Sequence, residues 1–198
     1  MADQRLVLAS ASPRRVDLLA QIALSPDIVD AAELDEAPLP RELPARHAER
    51  LAAAKACAVA RRHPGAFVLG ADTVVACGRR ILPKTEDEGS ARFCLELLSG
   101  RRHRVHGAVT VATPDGRFVT RRVDSQVAFK RLSRAEIDAY LRSGEWCGKA
   151  GGYAIQGRAA VLIRWICGSY TNVVGLPVFE TMQLLAGRGY RPSWIVNC

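Results

Sequence analysis

Residues 103–130 read HRVHGAVTVATPDGRFVTRRVDSQVAFK, and this stretch decides the fold class. Two long runs rich in valine and threonine flank Pro114-Asp115-Gly116, a sequence typical of a tight turn. The stretch therefore predicts a long antiparallel hairpin.

Helices and further strands alternate on both sides of this hairpin. The predicted strands outside it are residues 5–10, residues 26–31, two apolar runs within residues 66–82, and residues 160–166. Five helices are predicted. The first begins after Ser12 with Pro13 in its first turn, the second runs from about Ala45 to Arg62, and the last begins at Pro177. The third and fourth begin at capping boxes, formed by Thr85 with Glu88 and by Ser133 with Glu136. Because strands alternate with helices and one connection is a hairpin, we expect an α/β fold with a mixed sheet.

The length and composition are those of a globular protein that forms one domain or two small lobes, and we expect a single domain, residues 1–198. Of the 198 residues, 48% are hydrophobic and 24% are charged, which is enough to bury a substantial core. No apolar run reaches the roughly 18 residues that cross a bilayer, and the N-terminus lacks a basic segment followed by a long apolar one. These features predict a cytoplasmic protein without membrane association.

The cysteines are scattered and form no CxxC pair. Several lie inside apolar runs, so we expect small buried hydrophobic side chains rather than a disulfide framework or a thiolate zinc site. The six positions are Cys57, Cys77, Cys94, Cys147, Cys167 and Cys198.

The charge balance favours an anionic partner. The chain has 28 lysines and arginines against 20 aspartates and glutamates, a net charge of +8. Such an excess suits either nucleic acid or a polyanionic small molecule, and composition alone leaves both open.

Several standard site patterns are missing from the sequence. Residues 144–150, GEWCGKA, have one residue too few for a P-loop and end in alanine. The first strand is not followed by GxGxxG, and GxSxG does not occur. His103 and His106 are three apart on a predicted strand, so their side chains point to opposite faces and make a poor metal pair.

Charged residues instead stand where the chain changes direction. Arg14 and Arg15 lie in the first turn of a predicted helix, where free N–H groups and the helix dipole already favour an anion such as phosphate. Asp72 lies in an apolar run, where an ionised carboxylate is costly unless it faces a cleft, a metal or a cation; a capped turn aspartate is the alternative. Lys84 precedes a helix, and Lys55, taken alone, is typical of a surface lysine on an alanine-rich helix.

The glycine-rich stretch at residues 148–157, GKAGGYAIQG, surrounds Tyr153 and Gln156. Glycines allow the backbone to approach a flat ligand closely, and the amide of Gln156 can both donate to and accept from a base edge. This stretch is therefore a candidate base-binding loop.

Together these motifs resemble the Maf-like family of nucleoside triphosphate pyrophosphatases. The resemblance runs nearly end to end, in the order LASASPRR (8–15), LGADTVV (69–75), PKTEDEGSA (83–91), LSGRRHRVHGAVTV (98–111), GKAGGYAIQG (148–157) and VVGLPVFET (173–181). It implies an elongated mixed sheet flanked by helices, with two lobes around a central cleft, similar to inosine triphosphate pyrophosphatases. It also implies cleavage between the α and β phosphates, which gives a nucleoside monophosphate and pyrophosphate, with Mg²⁺ or Mn²⁺ as the cofactor.

The resemblance implies roles for individual residues. The catalytic acid/base position falls on Asp72; the alternative is that Asp72 serves only as a metal ligand. The acidic metal-binding position falls on Asp35, with Glu33 as its neighbour. The implied phosphate-binding residues are Ser10, Ser12, Arg14, Arg15, Lys55 and Lys84.

Three positions distinguish the subgroups of this family. Arg14, Thr73 and Gln156 match the members that act on dTTP and UTP, so the implied substrates are these nucleotides or modified pyrimidine nucleotides. The resemblance also suggests a homodimer that forms no stable complex with nucleic acid.

Other functions remain open from the sequence alone. A pyrophosphatase for modified purine nucleotides is one, and a non-catalytic basic nucleic-acid-binding protein is another, although aromatic residues make up only 6% of the chain. A serine or cysteine hydrolase is the third, and it lacks a histidine placed to support a nucleophile.

Overall fold

A mixed seven-stranded sheet lies at the centre of the computed structural model, which describes residues 4–192 and Trp194. Its strands are β1 (Leu6–Ala9), β2 (Ile28–Val29), β3 (Phe67–Cys77), β4 (Arg80–Leu82), β6 (Arg102–Ala112), β7 (Phe118–Phe129) and β9 (Ile163–Cys167). The strand order is β2-β1-β3-β6-β7-β9, with β4 also paired to β3. A separate two-stranded sheet consists of β5 (Lys84–Thr85) and β8 (Lys149–Ala150).

Six α-helices surround these sheets in the described part of the chain. They are α1 (Pro13–Ala20), α2 (Pro44–Ala60), α3 (Glu88–Leu98), α4 (Arg134–Leu141), α5 (Tyr170–Val174) and α6 (Val178–Gly187), and a 3₁₀ helix covers Arg158–Leu162. None of the described helices combines the length and the apolarity that crossing a bilayer requires.

The hairpin predicted from residues 103–130 is confirmed. Strands β6 and β7 pair antiparallel from Arg102 opposite Ala128 to Ala112 opposite Phe118, and Gly116 adopts φ +80° in the turn. The first three strands in spatial order are parallel, whereas β3 pairs antiparallel with β6. The sheet is therefore mixed, and the predicted α/β class is correct.

The long strands run through several hydrophobic clusters, and the two largest contain different parts of β3. Leu69 and Ala71 of β3 pack in a cluster with residues of β1, α1 and α6. Val75 of the same strand packs in a second cluster with residues of α3 and α4. These clusters are the cores of the two predicted lobes, and residues 72–74 of β3 connect them.

One edge of β3 is left open between the lobes. β1 pairs with this edge as far as Gly70, and β4 pairs with it again from Val75 onward. Within the described residues, positions 71–74 of β3 therefore have a partner strand only on the β6 side. A strand with one free edge presents unpaired backbone N–H and C=O groups to whatever occupies the gap.

Helix α2 packs unusually close to β3, and Gly70 makes this possible. A Cβ atom at Gly70 would lie 2.4 Å from the Ala52 carbonyl oxygen and 2.6 Å from the Ala56 nitrogen of α2. The small residues on both elements let the backbones approach, which brings Lys55 of α2 against β3.

Some local predictions are wrong. Asp87, not Thr85, caps α3: the Asp87 side chain accepts from Ser90 N, while Thr85 lies in β5 and donates to the Trp146 carbonyl. The two apolar runs predicted within residues 66–77 form one continuous strand, β3, and the turn predicted before Ile81 is confirmed by the antiparallel pairing of β3 with β4. Residues 160–162 belong to the 3₁₀ helix and not to a strand, and the short helix α5 was not predicted.

The cysteines only partly match their prediction. The five described cysteines are free thiols, and Cys94 is buried as expected. The expectation of burial is wrong for Cys147 and Cys167, which are exposed, and Cys198 lies outside the described residues.

Candidate active site

A cavity of about 440 Å³ opens at the free edge of β3, between the two lobes. Its walls come from the turn between β1 and α1, from α2, β3, β5 and β8, and from loops near Gln156 and Gly175. The predicted site residues that line it are Ser10, Ser12, Arg14, Arg15, Lys55, Asp72, Thr73, Lys84 and Gln156. The fold thus brings together nearly all of the residues singled out in the sequence.

A chain of four alternating charges crosses this cavity. Lys55 Nζ lies 2.7 Å from Asp72 Oδ1 and 2.6 Å from Glu36 Oε1. Lys84 Nζ lies 2.5 Å from Glu36 Oε2. We call Asp72, Lys55, Glu36 and Lys84 the charge chain.

Burial explains why Asp72 and Lys55 are paired. Both residues are buried, and an isolated charge of either sign would be strongly unfavourable there. Asp72 lies in the middle of β3 and Lys55 in the middle of α2, so neither is a turn aspartate or a surface lysine. The alternative readings of these two residues, each taken alone, are therefore wrong.

Sequence reasoning missed Glu36. Of the acidic residues in the loop before α2, Glu36 lines the cavity, whereas Glu33 and Asp35 are exposed. Asp35 Oδ1 instead accepts from Ala37 N within its own loop, at 2.9 Å. Partial burial raises the pKa of Glu36, but hydrogen bonds from Lys55 and Lys84 outweigh this and hold it at about 2. A metal role for Asp35 and Glu33 stays a prediction.

The neighbouring arginines have different surroundings. Arg15 is buried: its Nε donates to the Gly175 carbonyl at 2.9 Å, its Nη1 to Ser10 Oγ at 2.7 Å and its Nη2 to Thr73 Oγ1 at 3.5 Å. Burial lowers the pKa of Arg15, and the charges of Asp72 and Glu36 counter this. Arg15 therefore ties three walls of the cavity together through contacts from all three of its guanidinium nitrogens.

Arg14 is half-buried and lines the same cavity. Within the described chain it has no ion pair with a carboxylate, and burial lowers its pKa. Ser12 is the N-cap of α1, as predicted, but its side chain makes no capping hydrogen bond. The N–H groups of the first turn are thus not satisfied by Ser12 Oγ.

The glycine-rich loop supplies the wall that carries Tyr153 and Gln156. Gly151 and Gly152 adopt φ +69° and +70°, which turns the chain sharply before Tyr153. The Tyr153 hydroxyl lies 2.7 Å from His103 Nε2, and the ring is buried. Gln156 is exposed at the cavity and, within the described residues, its side chain makes no hydrogen bond to the protein.

The cavity offers hard oxygen ligands for a metal ion. Across residues 4–192 and 194, no group of three or more His, Cys, Asp or Glu side chains is arranged to hold a metal. Asp72 and Glu36 nevertheless both line the cavity. Mg²⁺ is commonly held by one or two carboxylates together with substrate phosphates, so this pair fits such an ion once a phosphate is present.

The chain is similar to known proteins over almost all of its length. The family model described as "Maf-like protein" matches residues 5–188. A dTTP/UTP pyrophosphatase from Rhodospirillum rubrum is 69% identical over 95% of this chain and 90% of its own length. A dTTP/UTP pyrophosphatase from Caulobacter vibrioides is 60% identical over 96% of this chain and 99% of its own length.

Two solved structures share the fold at low sequence identity. The Staphylococcus aureus Ham1 protein has a TM-score of 0.54 at 12% identity and covers 93% of this chain and 99% of its own. A HAM1 protein from Coxiella burnetii has a TM-score of 0.52 at 13% identity, with the same coverage of both chains. These similarities support the elongated α/β fold alone.

Proposed function

This chain belongs to the family of Maf-like proteins, and from that premise we propose that it hydrolyses dTTP and UTP to the monophosphate and pyrophosphate. The observation that carries the proposal is the charge chain beside Arg14 in a cavity between two lobes. Relatives that are 52–69% identical over most of the chain carry the name of this activity.

The cavity suits a triphosphate electrostatically. A nucleoside triphosphate brings about four negative charges, and phosphoryl transfer is catalysed mainly by positioning and by compensation of that charge. Arg14 is not paired with a carboxylate in the described structure, while Lys55 and Lys84 are held in place by Glu36. In a partly buried site each of these cations interacts with phosphate more strongly than it would in water.

Two observations support Asp72 as the general base in this proposal. Its carboxylate lines the cavity, and Lys55 holds one of its oxygens at 2.7 Å. In the proposed reaction Asp72 accepts a proton from a water molecule whose oxygen forms a bond to the α phosphorus. The bond from that phosphorus to the bridging oxygen breaks, and pyrophosphate leaves with the bonding electrons.

A divalent cation is part of the proposal. Asp72 and Glu36 would hold Mg²⁺ or Mn²⁺ together with the substrate, with Asp35 and Glu33 as the further positions that the resemblance implies. The ion would supply neutralisation of the phosphate charge. Lys55 touches both cavity carboxylates, so it sets their separation before any ion binds.

The pyrimidine base of the nucleotide is proposed to be recognised at the wall that carries Gln156. Gln156 lines the cavity with an amide that makes no hydrogen bond to the described residues, and uracil and thymine carry N–H and C=O groups side by side on one edge. Thr73 Oγ1 donates to the Gly175 carbonyl at 3.2 Å, which joins β3 to the loop after α5. The homodimer and the cytoplasmic location stay predictions.

The proposal is tested by a panel of nucleoside triphosphates with pyrophosphate release as the readout, with and without Mg²⁺ or Mn²⁺. We expect turnover of dTTP and UTP, dependence on the metal, and a loss of at least about 100-fold in Asp72→Asn. Asp138→Asn is the matched control, because Asp138 pairs with Arg92 outside the cavity. Purine triphosphates as the better substrates, or near-normal turnover in Asp72→Asn, would contradict the proposal.

A further inference from the structure

Lys149 lines the same cavity and was not among the predicted site residues. It lies in β8, within the segment 144–150 that resembles a P-loop only superficially. Its position in the cavity, unlike that of Lys55 or Lys84, is not explained by a carboxylate partner. Within the described residues, Lys149 forms no ion pair.

The backbone around Lys149 is firmly held. Lys149 stands opposite Thr85 in the β5–β8 ladder, and Gly148 N donates to the Thr85 carbonyl at 2.8 Å. The Thr85 hydroxyl, fully buried, donates to the Trp146 carbonyl at 2.7 Å. Since β5 also carries Lys84, one small sheet presents both lysines to the cavity.

The side chain of Lys149 keeps donors available. Its Nζ donates to the Cys147 carbonyl at 2.9 Å, which uses one of the three ammonium protons. Lys149 is half-buried, so the remaining protons are partly removed from water while they face a cavity.

Arg14 of α1 and Lys149 of β8 line the same cavity. Burial lowers the pKa of Lys149, and the charge of Arg14 lowers it further, while Cys147 and Glu145 counter the shift. Two like charges that converge in a partly buried cavity repel each other in the free protein. An anion between them would relieve that repulsion and use the open donors of both side chains.

We propose that Lys149 contacts the phosphate chain of the nucleotide and forms with Arg14 an anion subsite for condensed phosphate. This Arg14–Lys149 subsite is separate from the charge chain, where Asp72 and Glu36 already compensate Lys55 and Lys84. The inference rests on the proposed function for its natural ligands, the triphosphate of the substrate and the released pyrophosphate. The subsite itself is defined by phosphate chemistry and is measurable without turnover.

The first test is calorimetric titration of inorganic pyrophosphate into the metal-free protein. Lys149→Gln should weaken pyrophosphate binding by about tenfold or more, the effect of losing a charge-assisted hydrogen bond. Lys149→Arg should retain most of the affinity. Lys130→Gln is the matched control, because it removes the same charge at a lysine that pairs with Glu136 away from the cavity.

A second measurement needs no variant. Wild-type protein is acetylated with a limiting amount of an amine-reactive reagent, with and without saturating pyrophosphate. The labelling of each lysine is then measured by mass spectrometry. Pyrophosphate should reduce labelling of Lys149 several-fold and leave Lys130 unchanged. This result remains decisive if Lys149→Gln fails to fold.

The outcomes separate the subsite from the proposed function. Unchanged affinity in folded Lys149→Gln, undetectable binding of pyrophosphate to wild type, or unprotected Lys149 would overturn the subsite even if dTTP and UTP are hydrolysed. Lys149-dependent pyrophosphate binding in a protein that hydrolyses neither nucleotide would support the subsite and refute the proposed function.

Discussion

Arg14 and Arg15 show at the scale of single residues how adjacent side chains of one type divide two tasks. Arg15 points into the protein and bonds to Ser10, Thr73 and Gly175. Arg14, one position earlier in α1, faces the cavity without a carboxylate partner in the described structure. Successive helical residues point about 100° apart, so a doublet at a helix start serves both the interior and a ligand.

This division predicts different effects of the same substitution. Arg15→Ala should lower the free energy of unfolding by about 2–4 kcal/mol, because it leaves buried partners without their donor. Arg14→Ala should change stability by less than about 0.5 kcal/mol and lower kcat/KM by at least about tenfold. Urea unfolding and steady-state kinetics on both variants check this. Equal stability losses in the two variants would contradict the division.

Gln156 carries the prediction on base selectivity. Gln156→Ala should lower kcat/KM for dTTP and UTP by roughly tenfold to a hundredfold, since an unpaired polar group on the base is costly. Purine triphosphates should be affected less, because the phosphate contacts are untouched.

The ratio of kcat/KM for UTP and GTP, measured in wild type and variant, decides this question. An equal loss on both nucleotides would mean that Gln156 supports the loop and does not read the base. The free amide of Gln156 in the described structure favours base reading, because a bracing role would require hydrogen bonds to the protein.

At the scale of elements, the close packing of α2 on β3 positions the catalytic pair. Gly70→Ala places a Cβ atom 2.4 Å from the Ala52 carbonyl, so α2 must move away from the strand. We expect a loss of about 2 kcal/mol or more in unfolding free energy and a fall in kcat, because Lys55 moves relative to Asp72.

Gly187→Ala is the matched control for this substitution. Gly187 lies in α6, and no atom of the described residues lies within 4 Å of a new Cβ, so alanine there should be neutral or slightly stabilising. Thermal unfolding and kcat of the two variants test the contrast. Wild-type kcat in Gly70→Ala would show that the contact does not set the geometry of the site.

The same elements show what the sequence could predict. The capping box of Ser133 and Glu136 is a local pattern, and the structure contains both of its hydrogen bonds. The cap of α3 was placed wrongly because Thr85 is drawn into the β5–β8 ladder, a long-range pairing that no local pattern reveals.

The site residues likewise include some that the local sequence reveals and others that only the tertiary fold reveals. Asp72 was recognisable because a carboxylate in an apolar run needs a partner. Glu36 was missed because nothing near it in sequence reveals Lys55 and Lys84, which only the tertiary fold brings to its two oxygens. Lys149 was missed because it lies in a glycine-rich loop whose pairing with β5 is equally non-local.

At the scale of the whole molecule, the net charge of +8 takes on a specific meaning. Five of the 28 lysines and arginines line one cavity between the lobes: Arg14, Arg15, Lys55, Lys84 and Lys149. A cavity of about 440 Å³ suits a small polyanion better than a nucleic-acid backbone. This arrangement favours the nucleotide over the nucleic-acid alternative.

Global stability should also depend on pH through His103. The ring is 2% exposed, contacts Phe129 and Tyr153, and accepts or donates only at Nε2 in the described structure. Burial lowers the pKa of His103 from 6.5 to about 4. Between these values the unfolded chain binds a proton that the folded protein excludes, so this residue makes the free energy of unfolding fall as the pH decreases.

The expected fall amounts to as much as about 3 kcal/mol between about pH 6.5 and about pH 4, with no further contribution from His103 below that range. His103→Gln keeps a polar partner for the Tyr153 hydroxyl and removes the titration, so its stability should decline less over the same interval. Urea unfolding at about pH 7 and about pH 4.5 measures the difference between the two proteins, which have the other three histidines in common.

His63→Gln is the control, because the His63 ring is paired with Asp30 next to the edge strand β2. An identical decline in wild type and His103→Gln would mean that the buried ring takes up its proton without unfolding the core.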